Sequence, residues 1–517
     1  TLFRSKEHAG SEQQQTGNTK IPVVLPSLLL LCGGVFFAFA LYLNTYFPDM
    51  DVEAILFNVK FANGAFNKHI LIMILVYSVC VLLTASLFFF MMKKRSKMDY
   101  IVIKSPDKKE QKTLYLKDID SKGAITVPAI FAAVCFGWTI VQVDLPGYID
   151  SIIHETSLYS DYYVEPTAEA YTFPENKKNL IYIYLESYEN TFTAYANGGN
   201  QSFDYMPELY ALAMENLNFS HTIGLGGQSV FFSTIDYTMG STVAQTSGIP
   251  LMLYNSEKET EADYMTMRRL EDVLHEEGYN QIFIRGEDTS FARYEEYVGR
   301  YDNSTIFDYK EAVKQGMIPE DYKETWGYED EKLFEFAKKL ITDIAAQNKP
   351  FSATLYTVDT HGLEGGYRCR LCDPGIENDF AAAVRCSSKQ VSDFAAWVKE
   401  QDFFENTVMI LVGDHPVEGN RNNKTINLEE NGYVRTTYNC IINSETVPVQ
   451  ENNRVFTAMD MFPTTLSALG VKIKGDRLGL GTDLFSGTQT LCEQLGKEVF
   501  LKEIKRHSKY YGKIVTD

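Results

Sequence analysis

The segment TVMILVGDH at 407–415 joins a continuous apolar run to two polar side chains, Asp414 and His415. A short apolar run of this kind is typical of a strand buried on both faces, as in a parallel sheet. Three other runs have the same form: NLIYIYL at 179–185 before Glu186, NQIFIRG at 280–286 before Glu287 and Asp288, and FSATLYTV at 351–358 before Asp359 and His361. Ligands of open α/β sheets gather at the carboxyl ends of the strands, so we expect these groups to form one site.

The four runs alternate with amphipathic helical segments, and no period of 20–50 residues repeats along the chain. This alternation predicts an α/β sheet protein. We expect a linker at 145–175, a catalytic domain at 176–490 and a tail of that domain at 491–517.

Three side chains at the strand ends suit a metal ion. Glu186, Asp414 and His415 offer two carboxylates and an imidazole, a set that favours Zn²⁺ or Mn²⁺ over Mg²⁺. A fourth ligand is missing from this set. The segment GLGGQSVFFSTIDYTMGSTVAQTSGIPL at 224–251 could supply a hydroxyl that serves as both ligand and nucleophile. Spacing alone does not choose among Ser233, Thr234, Thr238, Ser241, Thr242, Thr246 and Ser247, and the alternative is an ordinary capped helix.

Residues 1–144 read as an all-helical membrane anchor. Three segments, 21–47, 70–92 and 124–143, reach the length of about 20 apolar residues that a helix needs to cross a bilayer. Residues 93–123 carry ten Lys and Arg, whereas residues 48–69 carry only Lys60 and Lys68. The basic loop is therefore expected to be cytoplasmic, and three crossings place the domain after Asp144 outside the cell membrane.

Charge divides along the same line. The 517 residues carry a net charge of −20, yet residues 1–144 hold 15 Lys and Arg against 11 Asp and Glu. The acidic excess therefore lies in the second part, which argues against nucleic acid as a partner. With 45% hydrophobic residues, the composition also excludes disorder, collagen and a small disulfide scaffold.

Five of the eight cysteines fall in the predicted external part, where disulfides persist. Because Cys369, Cys372 and Cys386 fall within eighteen residues, a bridge from Cys386 to one of the other two is the expected pair. Half a zinc site at Cys369 and Cys372 is the alternative, although no second Cys or His pair follows nearby.

Several strings together resemble the alkaline-phosphatase and sulfatase-like superfamily. Within it, the chain is most similar to the membrane-anchored branch of lipoteichoic acid synthase and the phosphoglycerol transferases that modify periplasmic glucans. The resemblance covers most of 176–486 and rests on IYLESYENTF at 183–192, YTMGSTVAQTSGIPL at 237–251, FIRGEDTSFAR at 283–293, TVDTHG at 357–362, VGDH at 412–415, DMFPTTLSALG and RLGLGTDLF.

The resemblance implies a fold and a set of roles. The fold is an alkaline-phosphatase-like domain with a mixed, mostly parallel sheet flanked by helices. One divalent metal, Mn²⁺ or Zn²⁺, would be held by Glu186, Asp414, His415 and Thr238, with Thr238 also the nucleophile. His361 and Arg293 would hold the phosphate or glycerol of the substrate, with Asp288 and Phe291 as neighbours. The chain departs from the synthase branch, which has a histidine at the position of Arg285 or Gly286 and a tryptophan near Phe291.

The implied reaction transfers phosphoglycerol from a phosphatidylglycerol-type lipid to a glycan or polyglycerol-phosphate acceptor through a phosphoglyceryl-threonine, at the outer face of a bacterial cytoplasmic membrane. The alternatives are a phosphoethanolamine transferase, a related hydrolase such as a sulfatase, and an inactive lipid sensor or scaffold. A sulfatase fits less well, because the sequence after Thr238 lacks the Pro and Arg of a C/S-x-P-x-R motif. The acceptor itself is not encoded in any short string.

Overall fold

A computed structural model describes residues 24–46, 50–61, 76–77, 79–84, 86, 90, 100–104, 111–115, 121–252, 266–324, 326–361, 366–417, 426–428 and 432–515. The chain divides into two compact units, one of residues 1–51 with 63–146 and one of residues 52–62 with 147–517.

The described strands are β1 (Tyr100–Lys104), β2 (Gln111–Tyr115), β3 (Tyr171–Thr172), β4 (Asn179–Leu185), β5 (Asn280–Arg285), β6 (Ser304–Phe307), β7 (Phe351–Tyr356), β8 (Thr407–Gly413), β9 (Asn439–Ile442), β10 (Lys472–Ile473), β11 (Arg477–Leu478) and β12 (Gly481–Thr482). The described α-helices are α1 (Val24–Tyr46), α2 (Val52–Phe61), α3 (Ser121–Gln142), α4 (Leu145–Ile153), α5 (Leu158–Tyr162), α6 (Pro207–Glu215), α7 (Thr238–Ser247), α8 (Leu270–Glu276), α9 (Tyr294–Val298), α10 (Tyr309–Lys314), α11 (Asp330–Ala345), α12 (Asp379–Lys399), α13 (Met461–Ala468), α14 (Leu491–Leu495), α15 (Lys497–Ile504) and α16 (Lys509–Ile514).

The first unit contains two long apolar helices, α1 and α3. Among the described residues, Val24–Thr45 and Ile125–Gln142 are long and apolar enough to cross a membrane, and the predicted span at 70–92 lies for the most part outside the described residues. The two helices pack closely at Gly33, where an added Cβ would lie 2.7 Å from the Phe131 ring. Small residues at such a contact let two helices approach, as is common between membrane helices.

One part of the anchor prediction was wrong, because the first unit is not all helical. Strands β1 and β2 pair antiparallel in the basic loop, with Tyr100 opposite Tyr115. The basic residues of this loop were used to predict its side of the membrane and not its secondary structure. The runs YIVIK and QKTLY have five residues each, too few for a clear strand pattern. Helix α2, from the loop expected to join the first two spans, belongs to the second unit.

The second unit is built on a six-stranded sheet in the order β6-β5-β7-β4-β8-β9. Five strands run parallel, and β9 pairs antiparallel with β8 at one edge. The predicted mixed, mostly parallel sheet is therefore confirmed. The four apolar runs of the sequence are β5, β7, β4 and β8, and these strands are neighbours in the sheet.

Alternate residues of β4 face two different cores, as the period of two in a strand requires. Leu180, Tyr182 and Tyr184 belong to one core, which also contains residues of α7, α8 and α13. Ile181, Ile183 and Leu185 belong to the other, with residues of α6, α11 and α12. Because both faces of the central strand are covered, its carboxyl end is the part that can meet a ligand.

Candidate active site

Glu186 and Asp414 lie side by side because their strands are paired in register. Leu185 of β4 is opposite Gly413 of β8, and each acidic residue follows directly. The chain turns sharply at Ser187, which has a left-handed φ of 52°. Its amide donates to Asp414 Oδ1 at 2.8 Å, and its hydroxyl donates to Glu186 Oε1 at 2.6 Å. One turn residue thus fixes both carboxylates.

His415 completes a buried group of three side chains. One ligand atom from each of Glu186, Asp414 and His415 lies within 4.8 Å of the other two, and the residues are 5%, 1% and 6% exposed. His415 Nδ1 is 2.9 Å from the Pro416 carbonyl oxygen, so this nitrogen is the donor and carries the proton. The other ring nitrogen, Nε2, then presents its lone pair to the carboxylates, as in a metal-ligating histidine.

Thr238 brings a hydroxyl to the same point. It is the first residue of α7, and its Oγ1 donates to Glu186 Oε2 at 3.2 Å and lies 3.4 Å from His415 Nε2. Thr238 is half-buried, whereas the three other side chains are buried. The hydroxyl is therefore the member of the group that a substrate can reach.

The other hydroxyl candidates on α7 have different contacts. Ser241 donates to the backbone oxygen of Asp414 at 2.6 Å, which attaches the helix to the end of β8. Thr242, Thr246 and Ser247 donate to helix carbonyls one turn earlier. Among the hydroxyls of α7, Thr238 is the one that contacts Glu186 and His415.

The four side chains fit a divalent cation. Asp414 Oδ2 is buried and has no hydrogen-bond partner among the described residues, and it lies 3.5 Å from His415 Nε2. A buried carboxylate oxygen without a partner is unfavourable unless something else satisfies it. A cation held by oxygen and imidazole donors would do so.

The pKa values of the two carboxylates are shifted in opposite directions. Burial and the neighbouring Glu186 raise the pKa of Asp414 to about 7. Burial also acts to raise the pKa of Glu186, but the facing His415 and His361 and the hydrogen bonds from Ser187 and Thr238 lower it overall. Without a cation, the pair therefore retains a proton on Asp414 near neutral pH.

We expect Mn²⁺ affinity to fall about tenfold when the pH is lowered from about 8 to about 6, because Asp414 must lose its proton to bind a cation. The stability of the metal-free protein should change in the opposite sense. Since the folded-state pKa of Asp414 lies above the ordinary aspartate value of 3.8, its contribution to stability decreases as the pH rises from about 4 to about 7. Isothermal titration with Mn²⁺ and thermal melts of metal-free protein measure the two effects. An affinity that does not change between these pH values contradicts the assignment.

The segment that follows β7 supplies two residues that sequence reasoning missed. Thr357 Oγ1 accepts the backbone N–H of Glu186 at 2.9 Å, and Thr360 Oγ1 donates to its carbonyl oxygen at 2.5 Å. Both lie in the TVDTHG string, but they act on a residue more than 170 positions earlier. Nothing in the local sequence indicates such a contact.

His361 follows β7 as expected, and its neighbour comes from another segment. Its ring lies 5.7 Å from the half-buried ring of Trp326, and a positive charge on it would lower the pKa of Glu186. His361 Nδ1 is buried without a hydrogen-bond partner among the described residues. Trp326 lies 35 positions from Phe291 in the sequence and was not predicted as a site residue.

The residues predicted from the FIRGEDTSFAR string lie further toward the surface. Arg293 is paired with Glu296, its Nε lying 3.0 Å from Glu296 Oε1, and its side chain is 41% exposed. Asp288 Oδ1 lies 2.8 Å from Lys310 Nζ in an ion pair, and Phe291 is exposed. The described contacts do not join these three residues to the Glu186 group.

Arg285, the last residue of β5, is more deeply placed. Its guanidinium stacks between the rings of Tyr294 and Tyr356, 4.3 and 4.5 Å from their centres, and pairs with Glu287. Tyr356 in turn shares a hydrogen bond with Thr242, one turn after Thr238. Arg285 is one of the two positions, with Gly286, at which the chain is expected to depart from the synthase branch.

The predicted disulfide residues also meet. Cys369 Sγ lies 3.5 Å from both Cys372 Sγ and Cys386 Sγ, and all three are thiols in the structure.

Comparison with known proteins gives the chain a family. The sulfatase family model matches residues 178–471. Phosphoglycerol transferase I of Escherichia fergusonii is 30% identical over 347 residues, and that of Escherichia coli strain SMS-3-5 is 31% identical over the same length. Each alignment covers 65% of this chain and 42% of the relative. The chain thus spans about two fifths of the length of these curated relatives.

Solved structures resemble it more distantly. An alkaline phosphatase superfamily protein from Vibrio parahaemolyticus has a TM-score of 0.49 and 18% identity, covering 67% of this chain and 80% of that one. The lipoteichoic acid synthase LtaP from Listeria monocytogenes has a TM-score of 0.46 and 20% identity, covering 64% and 80%. Since the family match covers more than half of the sequence and includes β4, α7 and β8, the chain belongs to the sulfatase family.

Proposed function

We propose that the protein transfers phosphoglycerol from a phosphatidylglycerol-type lipid to an extracytoplasmic acceptor. The observation that carries the proposal is the position of the Thr238 hydroxyl, 3.2 Å from Glu186 in a group that can hold a cation. Relatives named phosphoglycerol transferase I support the choice of headgroup. The acceptor is a glycan or a polyglycerol phosphate.

The reaction has two displacements at phosphorus. Thr238 Oγ1 attacks the phosphodiester, its bond to phosphorus forms, and the bond to the diacylglycerol oxygen breaks. The threonine proton ends on the released diacylglycerol. An acceptor hydroxyl then attacks the phosphoglyceryl-threonine, and its proton returns to Thr238 Oγ1. Glu186 and His415 orient the hydroxyl before attack, as their contacts with Oγ1 allow.

The proposed cofactor is one divalent metal, Mn²⁺ or Zn²⁺, held by Glu186, Asp414, His415 and Thr238. When bound, it would lower the pKa of the hydroxyl and offset charge on the transferring phosphoryl group. The donor set of three oxygens and one imidazole nitrogen suits either ion, and availability decides between them.

Substrate contacts are assigned to His361, Arg293, Asp288 and Phe291. The chain outside residues 1–144 is acidic, so its overall field repels an anionic lipid. Local positive charge must therefore hold the phosphate. His361 follows β7 and acts on Glu186, and Arg293 follows β5, the strand next to β7 in the sheet.

A lipid donor requires an active site close to the membrane. The two candidate spans, Val24–Thr45 and Ile125–Gln142, support an integral anchor. We place the protein in a bacterial cytoplasmic membrane with three crossings and the second unit outside, an orientation that the basic residues at 93–123 favour.

Mass spectrometry of the intact full-length protein after incubation with phosphatidylglycerol vesicles and Mn²⁺ tests the function. We expect a phosphoglycerol adduct on the tryptic peptide containing Thr238, with release of diacylglycerol. Phosphatidylethanolamine vesicles serve as the matched donor. An adduct formed only from phosphatidylethanolamine identifies a phosphoethanolamine transferase, and protein with neither adduct nor bound metal identifies a sensor or scaffold.

Replacing Arg293 with alanine should raise the KM for the lipid donor about tenfold to a hundredfold with a smaller change in kcat, because one charge-assisted contact to phosphate is lost. Glu296→Gln is the matched control, since it breaks the same ion pair and leaves the arginine. An exposed ion pair contributes little to stability. If Arg293→Ala and Glu296→Gln behave alike, Arg293 is a surface residue and does not bind the donor.

A further inference from the structure

Three cysteines form a buried cluster, called here the cysteine trio: Cys369, Cys372 and Cys386. Each sulfur lies within 4.8 Å of the other two, and the residues are 4%, 9% and 8% exposed. Cys369 and Cys372 lie on the segment between β7 and α12, and Cys386 lies on α12. Ala382 of the same helix packs against them.

The two other cysteines of the second unit are separated from the trio. Cys440 lies in β9, in the core of α6, α11 and α12, and its thiol donates to the Leu212 carbonyl oxygen. Cys492 lies in α14, in the core on the opposite face of the sheet. Within the second unit, a bridge formed by the trio is therefore internal to it. Three sulfurs can form one bridge and leave one thiol.

Cys369 is the shared partner in the trio. Its sulfur lies 3.5 Å from each of the other two, about 1.5 Å beyond disulfide length. Thiols of Cys372 and Cys386 can both donate to it, which lowers the pKa of Cys369. Gln390 Nε2 lies 3.4 Å from Cys386 Sγ and 4.0 Å from Cys369 Sγ and donates to both. These donors favour a thiolate at Cys369, the form in which this sulfur attacks an external disulfide.

We propose that the cysteine trio is a disulfide-exchange site with two mutually exclusive bridges, Cys369–Cys386 and Cys369–Cys372. The first bridge forms when Cys369 and Cys386 lose two protons and two electrons to an external disulfide, small or protein-borne, which is reduced to two thiols. In the exchange, the Cys372 thiol gives up its proton, which the departing Cys386 sulfur can take up, and attacks Cys369 sulfur. The Cys369–Cys386 bond breaks, the Cys369–Cys372 bond forms, and Cys386 leaves as a thiolate.

The two bridges hold the chain differently. Cys369–Cys386 attaches the segment after β7 to α12, whereas Cys369–Cys372 closes a loop within that segment. The segment begins at the end of β7 that carries His361, and the Tyr367 amide donates to the Asp359 carbonyl oxygen at 2.8 Å. The bridge to α12 thus restrains the region beside His361. The inference rests on the proposed extracytoplasmic placement, where external disulfides are present, and not on the transferase chemistry.

Differential alkylation and peptide mapping of the full-length protein, equilibrated with a glutathione and glutathione-disulfide buffer, tests the proposal. We expect one bridge and one alkylatable thiol among the trio in wild-type protein. Cys372→Ser should contain only Cys369–Cys386, Cys386→Ser only Cys369–Cys372, and Cys369→Ser no bridge. Cys440→Ser is the matched control and should leave the wild-type pattern unchanged.

Hydrogen exchange provides a second measurement that needs no variant to be active. Amide exchange in residues 366–378 should be about tenfold faster in Cys386→Ser than in Cys372→Ser, because only the latter retains the attachment to α12. Three alkylatable thiols in oxidised wild-type protein, a Cys372–Cys386 bridge, or a metal ion that protects all three sulfurs would overturn the proposal. Metal content is measured on the same samples, with Asp414→Asn protein used to remove the contribution of the Glu186 group.

Discussion

Thr238→Ala is expected to lower kcat for phosphoglycerol transfer by about 10⁴-fold or more, because no other hydroxyl of α7 donates to Glu186 among the described residues. The folded structure should be retained, since the side chain bonds only to site residues and the loss of one such hydrogen bond changes stability by about 1 kcal/mol. Diacylglycerol release from labelled phosphatidylglycerol measures the rate. Intact-protein mass measures the adduct, which should disappear.

Two controls make this result specific. Thr238→Ser keeps a hydroxyl at the first position of α7 and should retain both turnover and the adduct. Thr342→Ala removes an exposed threonine of α11 whose hydroxyl bonds to Lys338, and it should be neutral. The Thr238→Ala protein should still bind Mn²⁺, because the Glu186, Asp414 and His415 ligand atoms remain. Undiminished turnover in Thr238→Ala would show that the nucleophile is another group.

The strands of the central sheet were predictable because a strand buried on both faces requires a short run of apolar residues in the sequence. The runs before Glu186 and Asp414 are apolar after their first residue, and all their positions are buried, as expected of a strand covered on both faces. The two strands have the same length and pair in parallel from Asn179 opposite Thr407 to Leu185 opposite Gly413. This register brings the two carboxylates that follow them together. The polar residue after each run then marks the site edge.

Contacts between distant segments were not predictable in the same way. Thr238 and His415 are 177 positions apart, and seven hydroxyls of one segment were equally compatible with the spacing. Trp326 meets His361 from a loop with no pattern of its own. Such contacts depend on how α7 and the loops are placed over the sheet, which is set by many weak packing interactions.

The structure also separates two kinds of predicted residue. Glu186, Asp414, His415 and Thr238 form one group, whereas Arg293 is paired with Glu296 on a short turn in which Ala292 and Arg293 both have left-handed φ angles of 49° and 54°. Non-glycine residues seldom adopt this conformation. It persists only where the surrounding structure holds the backbone in it. Because the Arg293 side chain is paired with Glu296, Glu296→Gln separates loss of this pair from loss of the arginine itself.

Asp414→Asn is expected to abolish binding of the proposed cation and to lower turnover by about a thousandfold or more. Asp414 Oδ1 accepts two backbone N–H groups, from Ser187 and His415, both at 2.8 Å, and an asparagine oxygen can accept the same bonds. Oδ2 has no hydrogen-bond partner in the described part of the chain, and the substitution replaces it with an amide NH₂. A donor at that position repels a cation, and the several kcal/mol of charge stabilisation that a metal supplies is lost.

Metal content by inductively coupled plasma mass spectrometry and donor turnover measure the two effects on the same protein. Asp393→Asn, in an exposed pair with Lys389 on α12, is the matched control and should change neither. The metal-free variant should melt at least as high as metal-free wild type above about pH 7, because an amide replaces the buried carboxylate whose pKa is about 7. A folded Asp414→Asn protein that still binds one equivalent of Mn²⁺ and turns over donor would remove Asp414 from the ligand set and leave Thr238 without the proposed activation.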